Sequence, residues 1–209
     1  MSMETWLAFF FACWVISLSP GAGAVASMSA GLNYGFRHGY WNAIGLQLAL
    51  LGQIAIVAAG LGALLAASEW AFALIKWLGV AYLVYLGWRQ WRSPVTEIHP
   101  EQAEKIPASA SVLILRGFLV NASNPKAIVF ILAVLPQFLD PLQPLLGQYL
   151  LMTLTMIGVD LLVMAGYTGL AARVLRSLRS AAHQRLLNRS FGALFIAAAC
   201  LLATVHRSG

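Results

Sequence analysis

The sequence predicts an all-α integral membrane protein: six transmembrane helices forming two inverted three-helix repeats, with helices 1 and 4 broken at Pro20 and Pro125. Three observations carry this reading. Of 209 residues, 60% are hydrophobic and only 10% charged, and the mean hydropathy is +0.79; soluble domains carry roughly 45–50% apolar and about 25% charged residues. The apolar residues fall into six runs, and Lys and Arg collect in alternate connections between them. Such a composition excludes a soluble enzyme, a disordered chain and a secreted disulfide scaffold. It fits a single transmembrane domain over residues 1–209.

A spanning helix needs about 20 mostly apolar residues, roughly 30 Å at 1.5 Å each. Residues 6–28 are uncharged over 23 positions, with no Lys or Arg before them, which makes the run too long and too poorly flanked for a signal peptide. Residues 40–68 give a second uncharged run of 29 residues, a long or tilted helix. The third, 71–88, is interrupted only by Lys76. A polar segment at about 91–110, with Pro94, Pro100 and Pro107, divides a first repeat at about 4–90 from a second at about 111–206. Residues 111–139 form the fourth run and 142–172 the fifth, which carries Asp160. The sixth, 190–205, has only 16 residues, roughly 24 Å of helix, and is expected to be short or drawn in at its ends.

Basic residues set the orientation. Arg37 lies in the 1–2 connection; Arg89, Arg92, Lys105 and Arg116 in the 3–4 connection; Arg173, Arg176, Arg179, Arg185 and Arg189 in the 5–6 connection. The opposite side has only Arg207, while the 2–3 and 4–5 connections offer Glu69 and Asp140. Both termini are therefore expected to face away from the cytoplasm. The net charge of +6 and pI near 9.8 could suggest a nucleic-acid partner, but charge confined to short connections points to the lipid bilayer instead. A homo-oligomer is compatible with the pattern.

The chain repeats itself. Ser19-Pro20 matches Asn124-Pro125, 105 residues on; Gly52 and Ala59-Gly60 match Gly158 and Ala165-Gly166, 106 residues on. The stretch at 78–82 resembles that at 191–195. Three helices per half is an odd number, so the halves enter the membrane from opposite sides, the plan of many secondary transporters.

Proline inside a helix removes a hydrogen bond and clashes with the preceding turn. Ser and Asn favour the N-cap and proline the first helical position, so Ser19-Pro20-Gly21-Ala22-Gly23 and Asn121-Ala122-Ser123-Asn124-Pro125-Lys126 each predict a half-helix starting within the bilayer. Its free N–H groups and partial positive charge suit a carboxylate, and Gly21 and Gly23 let a ligand approach the backbone. The alternative is a pair of packing kinks. A charge at a helix centre costs at least about 2.5–3.5 kcal/mol, yet Asp160 sits deep in its run and Lys126 directly follows Pro125. Lys76 is a candidate charge partner that could equally snorkel to the interface. Gln47, Gln53, Asn121 and Asn124 add hydrogen-bonding groups at apolar positions, and Gly31, Gly35 and Gly39 at four-residue spacing predict close packing. His38, His99, His183 and His206 fall in loops or ends, so no metal site is expected. Cys13 and Cys200, separated by 186 residues, read as buried thiols acting as small hydrophobes rather than a disulfide.

These motifs resemble the lysine-exporter superfamily, in particular its homoserine/threonine resistance (RhtB) branch. The resemblance rests on 17–23, 76–83 and 124–130, with Leu135-Pro136-Gln137-Phe138, Gly45-Leu46-Gln47 and the stretch around Asp160, and it runs from about residue 4 to 205. It implies an inner-membrane exporter of small amino acids or derivatives such as homoserine, its lactone and threonine, driven by protons. Many members carry a second proline where this chain has Ala22, which softens the expected break in helix 1.

The candidate substrate-binding set is therefore Ser19, Pro20, Gly21, Gly23, Gln47, Asn121, Asn124, Pro125 and Lys126, with Asp160 as the proton-coupling group and Lys76 as a charge partner. No cofactor is expected, and without a P-loop an ion gradient is the economical energy source. A competing class is a membrane-embedded thiol–disulfide carrier. It would need a cysteine beside each broken helix, but Cys13 stands seven residues before Pro20 and none is near Pro125. An intramembrane enzyme lacks any His-Glu-x-x-His, Gly-x-Ser-x-Gly or paired carboxylates.

Overall fold

The computed structural model describes residues 1–67, 69–94, 108–140, 142–171 and 180–204, all helix or short connection. In order these are α1 (Met3–Leu18), α2 (Ala22–Gly39), α3 (Trp41–Ala67), α4 (Glu69–Trp91), α5 (Ala110–Ala122), α6 (Pro125–Val129), a π-helical turn (Phe130–Val134), a 3₁₀ turn (Leu135–Phe138), α7 (Leu145–Gly169) and α8 (Ala181–Thr204). Among the described residues, Trp41–Gly60 of α3 and the whole of α7 are long and apolar enough to cross a membrane. So are the two pairs α1 with α2, bent by 57°, and α5 with the segment Pro125–Phe138, bent by 56°.

Each boundary has a local cause. Ser2 caps α1 by accepting from the Thr5 N–H, and Pro20, lacking an N–H, ends the ladder after Ser19 donates to the Val15 carbonyl. Asn124 caps α6 with Pro125 at its first position, as the motif predicts. Further along, Pro136 again removes a donor, and the Leu135 N–H reaches back five residues to the Phe130 carbonyl, widening the helix before the 3₁₀ turn tightens it.

Three expectations are corrected. The second half-helix of the first motif starts at Ala22 with Gly21 as its N-cap, so Ser19 closes α1 and Pro20 stands outside both helices. The 1–2 connection is not a loop at Arg37: α2 continues through Arg37 and His38, and only Tyr40 separates it from α3. Gly35, at φ 74°, interrupts this last stretch, a conformation that favours glycine, and the chain folds back until Gly39 lies against the Ala30 carbonyl. Nor is the sixth helix short, since α8 begins at Ala181 and carries Arg185 and Arg189 within it.

The packing inverts the soluble pattern. Large apolar side chains face outward, with Ile56 74% and Leu154 69% exposed, while Ser27, Asn42, Gln47 and Asn121 are buried. Helices apolar on every side belong where the surroundings are apolar too. Glycines allow the closest approaches. α3 packs most extensively on α5, where a Cβ on Gly45 would strike the Ile114 carbonyl and one on Gly117 the Asn42 carbonyl. α4 packs on α8 where Gly87 and Gly192 face each other's carbonyls, and α2 on α7 where Gly31 meets the Thr168 backbone. Cys13 is buried but Cys200 is exposed, and both thiols are free.

Candidate functional site

At both helix breaks, side chains from elsewhere in the fold bond the carbonyls. At the first break the Tyr167 hydroxyl donates to the Leu18 carbonyl at 2.7 Å, and Lys126 Nζ donates to the Ser19 carbonyl at 2.6 Å. At the second, Gln53 Nε2 donates to the Asn121 carbonyl at 2.9 Å and the Tyr82 hydroxyl to the Pro125 carbonyl at 3.3 Å. The Asn121 side chain in turn donates to the Leu46 carbonyl at 2.8 Å, tying the second break to α3. Lys126 therefore joins the two breaks directly.

Between the breaks lies a cavity whose water-accessible core measures about 70 Å³. One water needs roughly 10–15 Å³ on that measure, so the core suits a molecule of a few heavy atoms rather than a peptide. Ser19, Gly21, Gly23, Asn121, Asn124, Lys126 and Asp160 all line it. Apolar walls come from Leu46, Leu50, Phe130, Met156 and Met164, with Cys13 and Ser17 from α1. Pro20 and Pro125 shape the breaks without lining the cavity. Gln47 also stands outside the wall: its Nε2 donates to Asp160 Oδ2 at 2.6 Å and holds that carboxylate from behind. Lys76 falls within α4, but its side chain lies outside the described residues.

The two half-helix N-termini differ. The Lys126 N–H is taken by the Asn124 side chain at 3.1 Å. The start of α2 has no side-chain cap; its ladder begins with Val25 donating to the Gly21 carbonyl at 3.0 Å. The N–H groups of Ala22, Gly23 and Ala24 are thus the unpaired donors of a helix end beside the cavity. A Cβ on Gly21 would stand 3.4 Å from Lys126 Nζ, so this helix end and the ammonium group form one positive wall. Asp160 lies on the same cavity but makes no ion pair with Lys126, whose Nζ bonds Ser19 instead. The Ser19 hydroxyl, buried at the wall, has no partner among the described residues.

The sequence profile of the LysE type translocators matches residues 14–206. The chain belongs to the LysE type translocator family. This LysE translocator is 42% identical to an "uncharacterized membrane protein" of Vibrio cholerae over 98% of each chain. It is 39% identical to the homoserine/homoserine lactone efflux protein of Salmonella typhimurium over the full length of both, and 27% identical to a leucine efflux protein of an Enterobacter species over 91% of each. No solved structure matches. Membership makes the chain a membrane translocator and not an enzyme. It also removes the ground for the thiol–disulfide carrier, since Cys13 alone reaches the cavity.

Sequence reasoning missed Ser17, Cys13, Met156 and Met164 as cavity residues. Helical spacing held the signal: Met156 and Met164 lie one turn either side of Asp160, and Cys13 and Ser17 are one turn apart on α1.

Proposed function

We propose that this LysE translocator is a secondary exporter of small zwitterionic amino acids or their derivatives, of the homoserine class, running as a proton antiporter in a bacterial inner membrane. The observation that carries the reading is the cavity with opposite charges on its walls. A substrate carboxylate suits the uncapped α2 N-terminus and Lys126, and a substrate ammonium suits Asp160, steadied by Gln47. Ser19 and Asn124 contribute neutral hydrogen bonds at the carboxylate end.

Coupling follows from one carboxylate serving two cations. Asp160 holds either the substrate ammonium or a proton, and a protonated Asp160 no longer attracts the ammonium. Proton arrival from outside therefore favours release there, and proton loss inside favours reloading. Lys126 remains available to the carboxylate because it is not committed to Asp160. The inverted-repeat plan of six spans, both termini periplasmic, gains support from the pairing of helices: α3 lies along α5 as α7 lies along α1 and α2. The names of the relatives, homoserine/homoserine lactone efflux and leucine efflux, agree with this substrate class.

Growth in toxic concentrations of homoserine, homoserine lactone, threonine, leucine and lysine tests the assignment. Cells expressing the protein should resist homoserine or its lactone most. Protection against none of the five, with the protein present in the membrane, would overturn it.

A further inference from the structure

Both ends of the cavity are closed within about one helical turn of its wall. Away from the α2–α3 turn, the residues four positions beyond Cys13, Leu50, Met156 and Phe130 are Phe9, Ile54, Met152 and Val134, all apolar and buried, with the polar Gln53 and, further along, Gln137 and Tyr149 beside them. Toward the turn, Ser27 lies three residues beyond Ala24, and Asn42 and Thr168 four beyond Leu46 and Met164, beside the buried apolar Met28 and Ala43. Ser27, Asn42 and Thr168 are polar, and they are 0%, 0% and 3% exposed.

Ser27 Oγ donates to Met164 Sδ at 3.3 Å, and Asn42 Nδ2 donates to Ser27 Oγ at 3.4 Å, so this trio bridges α2, α3 and α7 at the cavity floor. Thr168 comes a further turn along α7, about 5.4 Å, where its backbone meets Gly31 and seals the seam. Asn42 Oδ1 and Thr168 Oγ1 have no hydrogen-bond partner among the described residues. A buried polar atom left unpaired is costly, and an apolar side chain at either position would avoid that cost. Both unpaired atoms are oxygens able to accept.

We propose that Ser27, Asn42 and Thr168 form the passage between the cavity and the face bearing the α2–α3 turn, with Asn42 Oδ1 and Thr168 Oγ1 accepting from the substrate's α-ammonium group in transit. The assignment rests on the exporter reading above, but its test reads access and not export alone.

Thr168→Cys, in sealed vesicles of both orientations, is treated with a membrane-impermeant, cationic methanethiosulfonate, with each modified thiol located by peptide mass. The introduced thiol should react only from the face bearing the α2–α3 turn, and homoserine should slow the reaction at least several-fold. Reaction from the opposite face, or from neither face in a protein that exports homoserine, would overturn the passage. Failure to export any small amino acid would instead sink the exporter reading, while the labelling pattern would still report which end opens. Thr168→Val gives an independent reading that keeps shape and removes the acceptor. Homoserine binding at equilibrium should persist, and transport should fall roughly tenfold for the lost hydrogen bond; undiminished transport would overturn the role of Thr168.

Discussion

At Gly21 the absence of a side chain lets a helix end and an ammonium group share one wall. A methyl there would meet Lys126 Nζ at ordinary contact distance, 3.4 Å, whereas two further carbons would enter the cavity. Gly21→Ala should therefore keep most efflux, and Gly21→Val should lose at least about tenfold through substrate misplacement with normal membrane insertion; proteoliposome efflux beside size-exclusion profiles separates the two effects. The two buried charges give a sharper test. If Asp160 and Lys126 were merely balancing each other, removing both would repair the damage of removing one, because an unpaired buried charge is the main defect. With Lys126 bonded to Ser19 and Asp160 to Gln47, no such repair is expected: Asp160→Asn should stop uphill efflux but permit downhill exchange, and adding Lys126→Gln should not restore it. Recovery in the double variant, measured in energised vesicles, would make the pair structural. Charges and prolines in an apolar run were legible because each is costly there and needs a reason. The role of Gln47 was not, because whether an amide lines a cavity or backs a carboxylate depends on α3 and α7 meeting, which no local pattern states.

Among elements, close helix pairs depend on a few positions without side chains. Gly45 faces the Ile114 carbonyl, while Gly52, two turns along the same helix, has nothing within 4 Å. Gly45→Ala must push α5 away at a cost of about 1–3 kcal/mol or more, and Gly52→Ala should be neutral or stabilising by up to about 1 kcal/mol. Thermal unfolding of the two purified variants against the parent checks this, with a lower midpoint for the first only. The breaks were readable from Pro with Ser or Asn before it, and helix 4 obeyed that rule to the residue. Helix 1 shifted its cap to Gly21, since an extended backbone at that position starts α2 after the proline. The ends of α2 and α8 were misjudged because Arg37, Arg185 and Arg189 looked like loop residues; on a helix leaving the bilayer, such side chains simply reach water.

For the whole molecule, the basic residues of alternate connections predict that both termini share the periplasmic face. A reporter active only in the periplasm, joined after residue 206, should be active; silence from a full-length fusion would break the inverted-repeat plan. Hydropathy made the all-helical, membrane-embedded character readable, but not which helices pair, because the glycine contacts join segments as far apart in the chain as Gly31 and Thr168. Those pairings carry a consequence for how the protein is made. The main joins, α3 with α5, α2 with α7 and α4 with α8, all link the first half of the chain to the second. Until the second half is present, α1 to α4 have few contacts to hold one another, and the face around Gly45 lacks the α5 backbone that covers it. Each half should therefore depend on the other for its stability. Residues 1–94 produced alone should be degraded rapidly, and co-production of residues 108–209 as a separate chain should rescue them, as pulse-chase decay of the first fragment would reveal.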